Sequence, residues 1–394
     1  MNKLIQWLAY GSLVAAFVAG QLHHSKNNEI HSLDLTQGFT LEKMGLMDEL
    51  YAARQGDTLM GYLACGQAQG YGGPLEVAVL SDTSGHIQNM ALKHHVETYS
   101  FVEKLKANYY FRQYKGKVLA DSFAVHRDVN AVSGATISSA GIARATRKAS
   151  YTILEKGMQQ HAPEIEKQWR VTPKEGIVLI LFMLGVMATF MKKKNLRYLT
   201  LGLSLIFFGF LFNASITLSH FGRILLGYLP DMHHHLAWWI LMGGSLITIV
   251  VWGRNVYCHA LCPFHATQML LNKVSGINMK FAMKTMRIIR KIPGFLVWLS
   301  LVLILLSSNP TLAGYEPFAM LFSLEGYGVQ WYILPAALVG SLFISDFFCH
   351  YLCPVGATFK WIKKQRREVK ILFSKKQNAQ EDEQPKKTKE RKIA

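Results

Sequence analysis

The stretch Cys258-His259-Ala260-Leu261-Cys262-Pro263-Phe264-His265-Ala266-Thr267 recurs as Cys349-His350-Tyr351-Leu352-Cys353-Pro354-Val355-Gly356-Ala357-Thr358, with seven of ten positions identical. Self-similarity of this kind marks an internal duplication. Each copy closes a long apolar run and is followed by basic residues. Two such runs crossing a bilayer in the same direction would bring their cysteines to one depth, as in parallel repeats with a site at their interface. Within a copy the thiols are four residues apart, so on a helix they share a face one turn apart. The proline after the second cysteine disfavours helical geometry there and ends the span. Two pairs supply four thiolates, Cys258, Cys262, Cys349 and Cys353. That is the complement of a 2Fe–2S or 4Fe–4S cluster, and zinc or Cu(I) is soft enough for the same set. His259 and His350 are duplicated too, but a histidine at a helix end serves hydrogen bonding as readily as ligation. The fifth cysteine, Cys65, reads as a small buried residue, and an odd, clustered set argues against a disulfide framework.

Working outward, apolar runs lie at about 176–191, 199–218, 236–252, 294–310 and 331–348. Each is near the roughly 20 residues that cross a hydrocarbon core of about 30 Å. The formal charge of +18 is concentrated between these runs. Lys192, Lys193, Lys194 and Arg197 follow the first; Lys273, Lys280, Lys284, Arg287, Arg290 and Lys291 follow the third; Lys360, Lys363, Lys364, Arg366 and Arg367 follow the last. The alternate loops hold Arg223 and little else. This patterning argues for membrane topology rather than nucleic acid, with the basic loops cytoplasmic. Residues 1–20 read as an anchor or signal segment. Residues 21–172 then form an outer domain, 173–359 a five-helix transmembrane domain, and 360–394 a basic, solvated cytoplasmic tail. The chain would be a multi-pass protein of the bacterial inner membrane, with Trp238, Trp239, Trp331 and Tyr332 at the outer boundary.

The outer domain is polar and mixed. Gly66 to Val79 reads as turn then strand, Asp82 to Gly85 as a turn, and Thr136 to Gly157 as helix, an α+β pattern. Ser133-Gly134-Ala135-Thr136 opens that helix. Small residues there permit close backbone approach, and a helix N-terminus offers free N–H groups to a phosphate. Upstream lie Gly70-Tyr71-Gly72-Gly73-Pro74 and His94-His95-Val96-Glu97-Thr98.

On these motifs the outer domain resembles the FMN-binding domain of the Rnf and Nqr flavin subunits and of NosR/NirI proteins. The two CxxxCP motifs resemble the transmembrane region of NosR. The resemblance covers about 45–365 and implies an α+β periplasmic FMN-binding domain joined to an all-α polytopic membrane bundle. It implies FMN esterified through its phosphate to Thr136 by a flavin transferase, with Ser133, Gly134 and Ala135 completing the motif. Tyr71, Gly72, His95, Glu97 and Thr98 would lie near the flavin. Two departures are visible. Asn130 stands where the family usually has Asp, with Asp128 displaced, and the ferredoxin domain that follows in NosR is expected to be lacking here.

The function implied is transmembrane electron transfer between a cysteine-ligated iron–sulfur centre and covalent FMN. Expected partners are the lipid membrane, a cytoplasmic ferredoxin-like or flavoprotein donor and a periplasmic reductase. No substrate motif is evident. The alternative is a NosR-type regulatory or maturation protein handling copper or sensing redox state. A core about 30 Å thick is long for one electron step, so a quinone or haem is a candidate relay. His220 and the run His233-His234-His235 are candidate ligands, and Asp346, Glu316 and Glu325 candidate proton-path groups.

Overall fold

Between Thr40 and His95 short apolar stretches, Leu75 to Leu80 nearly continuous among them, are separated by turns, and the chain reverses at Gly56 and Gly85, both with positive φ. In the computed structural model this becomes an antiparallel meander in the order β1-β2-β3-β4-β5. The strands are β1 (Thr40–Lys43), β2 (Leu50–Gln55), β3 (Thr58–Gln69), β4 (Pro74–Asp82) and β5 (Ile87–His95). They follow helix α1 (Lys3–His24) and precede α2 (Tyr99–Ala107) and α3 (Thr136–Thr152). Beyond them the chain is helical: α4 (Pro173–Met191), α5 (Lys194–Ser204), α6 (Leu218–Leu225), α7 (Leu236–Trp252), α8 (Tyr257–Leu261), α9 (Pro263–Ser275) and α10 (Ile292–Ser307). The last elements are α11 (Phe318–Ser323), α12 (Gln330–Phe343), α13 (Phe347–Tyr351) and α14 (Pro354–Glu390). The structure describes residues 3–24, 35, 38–45, 49–97, 99–125, 127–164, 172–277, 279, 289, 291–312, 314–324, 326 and 328–390. Thr98, Lys280, Lys284, Arg287, Arg290 and Glu325 lie outside them.

Two compact units result. The first contains residues 1–170 together with 217–235 and 298–334. Its core lies between one face of the sheet and α3, where Ala64, Leu75, Val77 and Val79 meet Ile142, Ala145 and Ala149. The opposite face carries Ala53, Leu63, Ala78 and Leu80 against Leu35, Phe39 and Leu41. Small residues let α3 approach β3 closely: a Cβ on Gly66 would stand 2.1 Å from the Ala145 carbonyl oxygen. The same device seats α1, where a Cβ on Gly20 would meet the Leu305 carbonyl oxygen at 2.0 Å. The Trp298 Nε1–H donates to Ser12 Oγ at 3.0 Å beside it.

The second unit contains residues 171–216, 236–297 and 335–394. Helix α4 is long and apolar enough to cross a membrane, whereas α7, α10 and α12 are apolar but shorter. The run expected at 199–218 is interrupted. Helix α5 widens to π geometry over Leu205–Leu211, and Asn213 then takes a φ of 44°. The run at 331–348 likewise ends at Phe343, with Asp346 at a φ of 54° before α13 begins. Both breaks use residue types that tolerate the left-handed region through local side-chain bonding.

The basic residues after Lys360 belong to α14, and Lys360, Lys363, Lys364 and Arg367 are exposed on it. Arg366 is anchored, donating from Nε to the Val250 carbonyl at 2.6 Å and from Nη2 to that of Val251 at 2.7 Å. It thereby satisfies carbonyls left open at the C-terminus of α7, where a cation also meets the negative end of the helix dipole.

The Gly66 contact predicts that Gly66→Ala destabilises the full-length protein by about 1–3 kcal/mol, through overpacking against backbone that cannot retreat. Thermal unfolding of parent and variant checks this; equal melting temperatures would show that β3 and α3 have room to part.

Candidate functional site

Thr136 is the first residue of α3 and its side chain is exposed. Ala135, which precedes the helix, is buried and supplies no side-chain cap, while Gly134 turns the chain at a φ of 80°. The opening N–H groups of a helix lack intrahelical acceptors. An exposed hydroxyl beside such donors, with Ser133 and Gly134 also exposed, fits a phosphate ester there. Asn130 is held through its backbone, its N–H donating to Gln113 Oε1 at 2.8 Å and its carbonyl accepting from Gln113 Nε2 at 3.2 Å. The displaced acid, Asp128, is committed to its own loop: it accepts from Ala124 N–H and, at 3.1 Å, from Ser122 Oγ.

Glu97 joins the motifs. Only 3% exposed, its carboxylate accepts from Gly72 N–H at 3.0 Å and from Ser138 Oγ on the first turn of α3. The glycines of the 70–73 turn serve the same packing, since a Cβ on Gly70 would strike Glu97 Oε1 at 2.1 Å and one on Gly72 the Val96 carbonyl oxygen at 2.1 Å. Sequence reasoning set Glu97 and Gly72 beside the flavin. The structure makes them the tie between the glycine turn and the helix that bears Thr136. Tyr71 packs edge-on against Phe101 with ring centres 5.1 Å apart. His95, half-buried, has an Nδ1 without a partner among the described residues, and burial holds it below the usual histidine range. Gln69 Oε1 is a second buried atom without a partner among the described residues.

The remaining candidates in the first unit are accounted for locally. His220 caps α6 reciprocally with Thr217, its Nδ1 accepting Thr217 N–H at 3.1 Å. His233 bonds Asp231 Oδ1 at 3.0 Å through Nδ1, and Glu316 accepts Leu218 N–H at the start of α6. Cys65 lies with Glu49 and Glu76, the ligand atoms of all three within 4.8 Å of one another. Lys93 already occupies the place of a cation there, at 2.5 Å from Glu49 and 3.1 Å from Glu76. Burial pushes the Cys65 thiol well up, away from the metal-binding thiolate.

In the second unit all four cysteines of the repeat come together: Cys349 lies within Coulombic range of Cys353, Cys262 and Cys258. The local geometry differs from a pair on one helix face. Cys258 lies in the π turn α8, and Cys262, in extended geometry at φ −73° and ψ 115°, stands between α8 and α9. Proline therefore both stops one helix and starts the next, taking the first helical position that its fixed φ suits. Cys353 stands likewise before Pro354 and α14, and accepts Gly356 N–H at 3.3 Å on Sγ. The amides of Phe264 and His265 and the Tyr257 hydroxyl act on the Cys262 sulfur. Those N–H groups stand at a helix N-terminus, where the dipole favours negative charge.

A single tetrahedral ion with metal–sulfur bonds of about 2.3 Å would hold its sulfurs about 3.8 Å apart. Among the described residues no three of these thiols come within 4.8 Å of one another. Supporting groups that the motif did not reveal surround them. Buried Gln268 donates from Nε2 to Cys349 Sγ at 3.1 Å and accepts Phe348 N–H at 2.8 Å, tying one repeat to the other. His265 bridges Arg197 Nη2 at 2.9 Å to Asp346 Oδ1 at 3.0 Å. Nδ1 of His259 meets Thr189 Oγ1 and that of His350 the Asp346 carbonyl, so both duplicated histidines bond within the protein.

Comparison with known proteins finds a match over each of the two regions. Residues 70–150 match the FMN-binding domain, and residues 234–282 and 332–380 each match the 4Fe-4S binding domain, one per CxxxCP motif. Regulatory protein NosR of Pseudomonas aeruginosa is 33% identical over 144 residues, which is 32% of this chain and 20% of that one. Protein NirI of Paracoccus denitrificans is 29% identical over 156 residues, 34% of this chain and 23% of that one. The chain is NosR/NirI-like. One component of the proton-translocating ferredoxin:NAD(+) oxidoreductase complex of Clostridium ljungdahlii is 25% identical over 160 residues, 38% of this chain and 86% of that one. The chain aligns with only about a fifth of the length of the NosR and NirI proteins it matches. The paired matches support FMN, an iron–sulfur cluster and a redox electron-transfer role.

Two outcomes follow for the NosR/NirI-like site. Glu97→Ala leaves two buried donors unpaired and should cost about 1–3 kcal/mol more than Glu97→Gln, which can still accept from Gly72. Burial also raises the Glu97 carboxyl above its ordinary 4.5. The folded state then holds its proton longer than the unfolded state, so this contribution to stability is full below pH 4.5 and is lost as pH rises through the folded value. Unfolding followed against pH should show that loss in the parent and none of it in Glu97→Gln. For the second site, Gln268→Leu removes an N–H···S bond and should lower the reduction potential of the cysteine-held centre in an EPR-monitored titration. An unchanged potential would mean that the contact does not persist in the loaded protein.

Proposed function

We propose that this chain spans the cytoplasmic membrane and carries electrons between an iron–sulfur cluster on Cys258, Cys262, Cys349 and Cys353 and an FMN esterified to Thr136. The observation that carries the reading is the exposed Thr136 hydroxyl on the free amides at the start of α3, in the same chain as a duplicated pair of buried, helix-capping thiols. Flavin and cluster supply the capacity to take up and release electrons, and the residues here hold and tune them. Helix α3 holds the phosphate, Glu97 fixes that helix to the glycine turn, and Gln268, Tyr257 and the helix-start amides stabilise sulfur charge. Alternation of basic and neutral loops supports a multi-pass topology with the flavin domain outside, and α4 meets the requirement for a span. A flavin transferase would load Thr136. A ferredoxin-like or flavoprotein donor would serve the cytoplasmic side, and a reductase the periplasmic side.

A second reading has its own support in the regulatory name carried by the NosR relatives. In it the thiolates bind Cu(I) and the flavin domain senses or reduces a partner. Metal content separates the two. The purified protein should contain iron and acid-labile sulfide, lost in Cys349→Ser, and flavin fluorescence on a denaturing gel, lost in Thr136→Ala. Copper without iron would reject the electron-transfer reading in favour of the second.

A further inference from the structure

Arg223 lies in α6, outside residues 70–150 that match the FMN-binding domain, yet it belongs to the unit built on the sheet. It is 3% exposed. Its Nη1 donates to the Tyr71 carbonyl at 2.7 Å and its Nε faces the Tyr228 carbonyl at 3.4 Å. Nη2 is buried and has no partner among the described residues. A guanidinium N–H removed from water and left unpaired costs about 1–3 kcal/mol or more, so such a group calls for an acceptor.

The surroundings define the acceptor. Arg223 is fixed to the residue before Gly72, whose N–H is bound by Glu97, which in turn binds Ser138 two residues past Thr136. The unpaired N–H therefore stands at the glycine turn, one carboxylate bridge away from the turn of helix that carries Thr136. His235 shares this environment: its Nε2 is also buried without a partner among the described residues, and burial beside Arg144 and Arg223 holds it at about 3, keeping it neutral. Glu97 and Tyr71 are the groups whose charge bears on Arg223, and Glu316 also faces Tyr71. A phosphate on Thr136 has the amides of α3 to itself. What remains for Arg223 is a neutral or weakly anionic oxygen on the rest of the molecule, and the carbonyl edge of the isoalloxazine ring has that chemistry.

We propose that Arg223 is a flavin-positioning residue, its free Nη2 donating to a carbonyl oxygen on the polar edge of the ring. The proposal rests on the reading that FMN is esterified to Thr136. Negative charge gathers at that edge when the flavin is reduced, so a fixed guanidinium favours the reduced form and raises the potential.

The test is a spectroelectrochemical titration of the full-length protein, with in-gel fluorescence confirming covalent flavin in each sample. Arg223→Gln should shift the balance at least tenfold toward oxidised flavin, a fall of about 30 mV for a two-electron couple. Arg223→Lys, which keeps the charge, should recover most of that shift. Parental potentials in both loaded variants would overturn the proposal. So would loss of covalent flavin in Arg223→Gln alone with Arg223→Lys still loaded at the parental potential, which would place the guanidinium on the phosphate or in loading. A wild-type protein with no covalent flavin would overturn the underlying reading, and that outcome is read before any variant is made.

Discussion

A carboxylate shut away from water, Glu97, has to be satisfied by donors that the fold brings to it, and the flavin-domain half of the molecule is arranged around that need. The two donors come from different places, Gly72 N–H at the mouth of a strand turn and Ser138 Oγ on a helix. Meeting both requires that α3 lie close on β3, and Gly66 and Gly141 remove the side chains that would hold it off. The position of Thr136 then follows, because it opens the helix whose first turn Glu97 grips. Burying the acid without these partners would cost more than most single contacts return.

The second unit solves a comparable problem with sulfur. A Cys-Pro pair ends one helix and begins another, which puts each second thiol of the repeat at a helix N-terminus. The first thiols are reached differently. Cys349 takes a hydrogen bond from Gln268 of the other repeat, and Cys258 lies in a π turn. The duplication is thus no longer symmetric in its support: His265, bonded between Arg197 and Asp346, occupies the position that is Gly356 in the second copy.

Much of this was readable in the residues. The CxxxCP repeat and the Ser-Gly-Ala-Thr helix start are local patterns, and the turn at Asp82 to Gly85 and the helix from Thr136 stand where composition puts them. Local pattern could not reveal contacts made across long separations. Arg223 meets Tyr71 from 152 residues away and Gln268 meets Cys349 from 81, and nothing near either residue announces its partner. Hydrophobicity also failed to mark where helices break, since Asn213 and Asp346 interrupt apolar runs through backbone geometry rather than polarity of the run. The basic end of the chain was legible as charge but not as helix, and Arg366 meets the carbonyls of α7 from 116 and 115 residues away.

The Cys-Pro helix starts carry a consequence for how the protein matures. Serine, threonine, asparagine or aspartate at such a position caps a helix at once, whereas a protonated thiol is a poor substitute. On the proposed reading, metal loading would strip the proton and turn the thiol into an anionic cap. Helices α9 and α14 would then gain an N-terminal tether at the moment the centre is filled, and assembly and folding would become one event at these two points. A chain that missed its metal would be left with weaker caps at both helix starts.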